Sequence, residues 1–444
     1  MSRASAPIPL QSRRRQLPAF GRNTKLLLAI TTVNSIALVS AGALINPYLR
    51  NMGMSAAFVG LYFSLSAIVQ GGASFVGGFL ADTFGRRRVW AAGKMMQIGA
   101  YLLLASGVKG QWVLAAAVLS GLSQVGIGAV SAFQADASEA SWRATYFAII
   151  QTVNSLVSAI APLAGGLIAD RYGAQWAFAG ILPLLIIVAR MISSLEERPA
   201  KAASVAGSHA ATATRSGLRQ RLAHLTKGIL QGPFPRTAMA LLAHTVLNGV
   251  SNGVINITLP LLMRDRYGLG YTGIAGMQTA IALGMVLTVL VGARLADRLG
   301  RRKVILASCS GGLVLFFALP FVATAAQMYG LVFLFGLIAN GGNGAFSATI
   351  MECVSDESRA SFGGVFQGLN AGGMALGSLV AGIAYASSQL LPLYIAAGVV
   401  AVAVLLMWLF LQETSRPHAV TAGLATAEAS EPGSGSSVAG ADGE

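Results

Sequence analysis

The amino-acid sequence predicts an all-α membrane protein: twelve transmembrane helices in two pseudo-symmetric six-helix bundles. Three observations predict it. Only 11% of the 444 residues are charged while 55% are hydrophobic, and the mean hydropathy is +0.66; a soluble domain carries about 25% charged residues. The apolar residues are gathered into runs of about 18–25, each long enough to cross a ~30 Å hydrocarbon core as a helix, and a helix satisfies its own backbone where no water is present. Finally, "GGFLADTFGRRRVW" from Gly77 to Trp90 returns as "ARLADRLGRRKV" from Ala293 to Val304, with Asp82 and Asp297 215 positions apart.

Residues 1–23 form a basic tail with "SRRR" at Ser12–Arg15. The first bundle, 24–193, holds spans at 24–46, 56–80, 88–107, 112–134, 145–169 and 174–193. The second, 237–412, holds spans at 237–262, 271–293, 304–322, 326–348, 361–386 and 389–412. Span 1 carries "AGA" at Ala41–Ala43, which resembles a signal-peptidase site. Its length and its counterpart in mid-chain make it a span instead. Between the bundles, 194–236 is an Ala/Ser/Thr-rich linker. It contains "LRQRLAHLTKGIL", where Leu218, Leu222, Leu225 and Ile229 share one helical face between basic residues. That is the pattern of a helix lying on a membrane surface; a solvated linker with a helical turn is the other reading. Residues 413–444 are rich in Gly, Ala and Ser and are expected to be disordered.

Lysine and arginine placement orients the chain. With the N-terminus inside, 26 of the 31 basic residues fall on inner segments, four of them counted in the loop between spans 2 and 3. The outside receives Arg50, Lys109, Arg171, Arg264 and Arg266. Both termini are therefore expected in the cytoplasm, with the protein in the plasma (cytoplasmic) membrane. The net charge of +15 lies in short loops without interleaved aromatics, so the expected partner is the lipid bilayer rather than nucleic acid, and the expected state is a monomer. Cys309 and Cys353 suit neither a disulfide framework nor a zinc site. No nucleophile–base pair, metal cluster or phosphate loop stands out, so no enzyme, metal or cofactor is expected.

The repeat extends beyond one phrase. Asn34 matches Asn248 at an offset of 214; Gly85, Arg86 and Arg87 match Gly300, Arg301 and Arg302 at 215; Arg143, Gln151 and Asn154 match Arg359, Gln367 and Asn370 at 216. Several polar matches within two residues of one offset indicate a duplicated six-helix unit. Inside the first half, "GGLIADRYG" (Gly165–Gly173) echoes "GGFLADTFG" (Gly77–Gly85) 88 residues later, on the opposite side of the membrane. That is the product of an inverted three-helix repeat. The Gly…Asp…Gly frame thus belongs to the turn and the arginines to the cytoplasmic side. The second half has Ala386 where an outer aspartate would stand.

Twelve spans in two halves, a long central loop and "G-x-L-A-D-x-x-G-R-R-R" beginning at Gly78 resemble the major facilitator superfamily over about residues 23–412. The second copy has Ala293 at the first glycine position. The resemblance implies that Asp82 packs at the cytoplasmic start of span 11, near Ser358–Ser361, and holds the halves together while the protein faces outward. By symmetry Asp297 would face the start of span 5, near Ser141–Thr145. A carboxylate at a helix N-terminus gains roughly 0.3–1 kcal/mol, up to ~2 when partly buried. The other two inner turns, with Asp136, Glu139 and Arg143, and with Glu352, Asp356 and Arg359, are candidate gate partners.

None of the sixteen acidic residues falls near a bilayer midplane. This disfavours a carboxylate relay and a cationic substrate held by charge; proton coupling stays an option. The interior holds amides instead. His244, Asn248, Asn252 and Asn256 recur every four residues on span 7 and form a slanting stripe. With Asn34 on span 1 and Asn340 and Asn343 on span 10 they are the cavity candidates, because spans 1, 4, 7 and 10 line the cavity in the resembling family. Gln151, Asn154 and Pro162 on span 5, and Gln367 and Asn370 on span 11, are candidates for the interface between halves. Ala73/Gly77, Ser74/Gly78, Ala161/Gly165 and Gly373/Gly377 have the four-residue spacing that lets helices approach closely. "APLAGG" (Ala161–Gly166) resembles the end of a drug/proton antiporter motif, with Ala161 for the first glycine; span 4 lacks the arginine of those antiporters. The sequence thus points to alternating-access export of a small neutral or amphipathic compound. Uptake of a polar neutral solute and a non-transporting receptor are the other readings.

Overall fold

In a bilayer each segment must satisfy its own backbone, and the chain does so with helices. The computed structural model describes residues 21–137, 143–196, 234–353 and 359–412. The first half comprises α1 (Arg22–Asn51), α2 (Ala56–Phe84), α3 (Arg86–Ala105), α4 (Gln111–Leu122), α5 (Ile127–Ala137), α6 (Arg143–Tyr172) and α7 (Ala174–Ser193). The second comprises α8 (Pro235–Asp265), α9 (Tyr271–Leu299), α10 (Arg301–Ala318), α11 (Ala325–Ala339), α12 (Asn343–Glu352), α13 (Arg359–Ser387) and α14 (Leu391–Phe410). The fourteen helices of the described residues make twelve spans because two spans are broken. Span 4 is α4 and α5 joined by a 3₁₀ turn, Ser123–Gly126. Span 10, expected as one helix, is α11 and α12 with a turn through Asn340–Gly342. Asn-Gly-Gly is a poor helix former, and this turn brings the backbone against α10: a Cβ on Gly342 would lie 3.2 Å from Ser308 Cβ. The two breaks stand at equivalent places, Gly126 being 215 residues before Gly341.

Each half starts and finishes at the same end. Arg22 pairs with Glu196 at 3.0 Å, and Thr237 Oγ1 donates to the Phe410 carbonyl at 3.2 Å. We call this the terminal end and the opposite one the distal end. Gly85, Gly173 and Gly300 each end one helix and start the next, with φ of +92°, +96° and +87°. The three Gly…Asp…Gly frames thus share one turn geometry, which favours glycine because a Cβ is strained there.

Among the described residues, eleven spans are long and apolar enough to cross a membrane by length and composition. The remaining span, α3, carries Arg86, Arg87, Arg88 and Lys94. Here one expectation is corrected. Lys94 was counted among the loop cations, but it lies within α3 and is buried. A basic count over short loops does not separate a loop lysine from one a few residues into the following helix.

Between the halves, α2 packs on α13 and α6 on α9. Glycines set the approach. A Cβ on Gly60 would lie 2.5 Å from the Ser378 carbonyl oxygen, and one on Gly166 2.8 Å from Thr272 Cα. Inside the second half, α8 and α13 meet through Gly249, Gly253, Gly373 and Gly377, each against the other helix's backbone. Substituting Gly377→Val forces the α8–α13 contact apart, because backbone cannot yield as a flexible side chain can. We expect a loss of about 1–3 kcal/mol, the usual cost of overpacking, read as a lowered melting temperature in detergent, whereas Gly372→Val, facing open space, leaves it nearly unchanged.

Candidate functional site: a cavity in the second bundle and a latch at the distal end

The polar stripe on α8 opens onto a cavity of about 390 Å³ enclosed by α8, α10, α11, α12, α13 and α14. His244, Asn248 and Asn252 line it together with Ser308, Cys309, Asn343 and Asn370. Phe316, Phe335, Phe346 and Phe366 supply an apolar wall. The amides are partly engaged with one another: Asn252 Nδ2 donates to Asn248 Oδ1 at 2.6 Å, and Asn343 Nδ2 to Asn340 Oδ1 at 3.0 Å. The His244 ring sits 5.2 Å from the Phe346 ring. Its Nδ1 is buried without a hydrogen-bond partner among the described residues. No carboxylate lines the cavity among the described residues. Such a site accepts an aromatic or aliphatic body and a few hydrogen-bonding groups.

The other sequence candidates are dispersed. Asn256, the fourth member of the stripe, is exposed and is not among the cavity residues; its carbonyl accepts from Asn46 Nδ2 of α1 at 3.3 Å, a link between halves. Asn154 accepts from Ser35 on α1 at 2.7 Å, a bond inside the first half. Asn370, expected at the interface, lines the cavity because close α8–α13 packing at Gly249 turns it toward the stripe. Gln151 and Gln367 are exposed on α6 and α13. Pro162 is buried in α6. The glycines after it divide their work: Gly165 faces Ser40 of the same half, while Gly166 faces Thr272 of the other half.

At the distal end the halves are joined by polar contacts. Asp170, at the end of α6, accepts from the backbone N–H groups of Tyr271 and Thr272, both at 2.8 Å. These are the first two residues of α9, whose N–H groups have no partner within their helix. Arg50 of α1 pairs with Asp265 of α8 at 3.2 Å. Tyr385 donates to the same carboxylate at 3.2 Å, and Asn51 donates to the Tyr271 hydroxyl at 2.6 Å. Sequence reading assigned Asp170 only to a turn and did not single out Asn46, Asp265 or Tyr385. The signal was present for Asp170 alone: it occupies the aspartate position of the repeated frame.

At the terminal end, Arg87 donates to the carbonyls of Ser193 and Leu195, both at 3.3 Å. A cation at the carbonyl end of α7 is favourable. Gly78 is exposed with open space around it, and Arg86, Arg301 and Arg302 begin α3 and α10. The side chains of Asp82, Asp297, Asp136, Arg143, Glu352 and Arg359, together with all of Glu139, Asp356 and the segment 218–229, lie outside the described residues. The first bundle holds one more feature missed in the sequence: Lys94 Nζ donates to Asn34 Oδ1 and Gln97 Oε1, both at 2.6 Å.

Two six-span halves locked together at one end, with a mixed apolar and amide cavity in the second half, have the architecture of the membrane transport class. A sequence profile described as the Major Facilitator Superfamily matches residues 27–243 and again 241–433. The chain belongs to that superfamily. Among curated relatives it is 32% identical to a tetracycline resistance protein, class E, of Escherichia coli over 192 residues, 42% of this chain and 46% of that protein. It is 24% identical to the multidrug resistance protein MdtG of Escherichia fergusonii over 296 residues, 62% of this chain and 65% of that protein. The chain thus spans about half to two thirds of these relatives. A solved POT family transporter in complex with 5-aminolevulinic acid superposes with a TM-score of 0.71 at 13% identity, covering 90% of this chain and 99% of that one; this likeness concerns the fold.

Two measurements check the site. Cys309 lines the cavity while Cys353 is buried, so a polar maleimide should modify Cys309 about tenfold faster or more, since access governs thiol reactivity; peptide mapping identifies the site. Asp170→Asn weakens the cap on α9 by about 0.3–2 kcal/mol, and spin-label distances across the distal end should lengthen or broaden while those within the first half stay fixed.

Proposed function

We propose that this transporter exports small amphipathic organic compounds by alternating access, as a monomer in the cytoplasmic membrane with both termini in the cytoplasm, driven by the proton gradient. The observation that carries the reading is the cavity. Four phenylalanines face an amide and histidine stripe with no carboxylate among its described lining, which suits a compound with a sizeable apolar body. A polar solute taken up for nutrition would leave that aromatic wall unused. The names of two relatives, tetracycline and multidrug resistance proteins, agree with export of such compounds.

The distal latch supports the alternating cycle. Asp170 joins the end of span 5 to the start of span 8 across the halves. Asp82 stands at the inverted-repeat equivalent, so the same physics applied at the terminal end would join span 2 to span 11. Asp170 closes the distal side and Asp82, with Asp297 as its symmetry mate, closes the terminal side, and transport exchanges one set of latches for the other. In this cycle a state with the distal latch made is the one closed to the outside.

The test is flux of tetracycline in proteoliposomes of known orientation, with and without an imposed pH gradient. We expect transport out of the cytoplasmic-equivalent side, stimulated several-fold by the gradient and lost in Asn248→Leu, which removes the amide at the middle of the stripe. Flux unaffected by the gradient removes proton coupling; absence of flux with tetracycline and with any compound that raises the melting temperature favours a receptor. Asp82→Asn and Asp170→Asn should bias the protein to opposite faces, seen as opposite changes in Cys309 labelling from the two sides.

A further inference from the structure

The buried cation of the first bundle carries an inference that rests on the transport reading and narrows its substrate. Lys94 is the ninth residue of α3, about 12 Å along a helix of about 30 Å at 1.5 Å per residue. It therefore lies about two fifths of the way along α3, inside the span and not in the loop. It is 8% exposed. Its ammonium has three N–H donors, and two are used by the uncharged oxygens of Asn34 and Gln97. The ion pairs among the described residues are Arg22–Glu196 and Arg50–Asp265, so no described carboxylate neutralises it. A charge in this position is costly to bury and inside a membrane marks a functional site by default.

The internal repeat says where this charge sits relative to the cavity. The residue 214 positions after Asn34 is Asn248, and those 215 positions after Lys94 and Gln97 are Cys309 and Gly312. All three of these counterparts line the cavity of the second bundle. The first bundle thus carries a lysine and a glutamine at the positions that a cysteine and a glycine hold beside the cavity in the second. The four-carbon stem of a lysine is flexible and carries three rotatable donors at its end, so the ammonium can be re-aimed.

We propose that Lys94 is the first-bundle contact for an acidic group, a carboxylate or comparable organic anion, on the transported compound, with Asn34 and Gln97 holding the ammonium until that anion arrives. The apolar body of the compound then occupies the phenylalanine-lined side in the second bundle. Specificity is asymmetric: the second bundle reads shape and hydrogen bonding, and the first reads negative charge. Cations are repelled by the same residue.

The experiment compares pyrenebutyric acid with its carboxamide, which share one apolar body, by fluorescence binding to the purified full-length protein and by flux in proteoliposomes. Wild type should prefer the acid. Lys94→Gln should weaken acid binding about tenfold or more, as expected for loss of a buried charged partner, and leave the carboxamide within about twofold; Lys94→Arg, which keeps the charge, should retain most of the preference. Melting temperatures of the variants separate this from misfolding. Equal affinity of wild type for both probes, or an equal loss of both in Lys94→Gln, overturns the inference. Tetracycline flux with no acid preference overturns this inference and leaves the transport reading standing; no flux of any compound overturns both.

Discussion

The first two N–H groups of α9 have no partner in their own helix, and a carboxylate from the opposite half supplies both bonds. That one contact, Asp170 with Tyr271 and Thr272, fixes how the bundles meet at the distal end. Gly166, four residues earlier, lets α6 come close enough for the bond to form, and Arg50, Asp265 and Tyr385 reinforce the same closure beside it. Because the contact pairs a charge with backbone dipoles, it needs no complementary cation and can be released without stranding a second buried charge. Exposed ends of helices make it affordable to break, which a cycle requires.

The two bundles repeat one scaffold with different contents. Both have a broken helix at equivalent places, Ser123–Gly126 and Asn340–Gly342, and both have an asparagine on the first span of the half facing a position on the third. In the second half that position is Cys309 and the space beside it is open; in the first it is Lys94, with Gln97 below it. Duplication preserved the turns and packing glycines, where geometry tolerates little change, and let the polar filling diverge.

Much of this was legible in the chain. The twelve spans, the two halves and the turn glycines follow from hydropathy, helix length and the repeated frame, since each depends on local composition or on a short phrase. The stripe of His244, Asn248 and Asn252 was legible because a four-residue spacing stays on one helical face. The fates of individual amides were not: Asn154 is engaged within its half, Asn256 bears on a link between halves, and Asn370 joins the cavity. Each outcome depends on how helices rotate and how closely they approach, and spacing along one helix carries no information about the neighbour.

By itself, the sequence determined the architecture, because a bilayer permits few structures and the hydrophobic runs count them. It also determined that a Gly…Asp…Gly turn recurs, because glycine at positive φ is a local demand. Only the tertiary structure decided what the aspartate of the distal copy does, since its partners are backbone groups 101 and 102 residues away, identical in every sequence. Only the tertiary structure showed that Lys94 is interior, since a lysine a few residues past a run of arginines looks like one more loop charge until the helix it belongs to is packed.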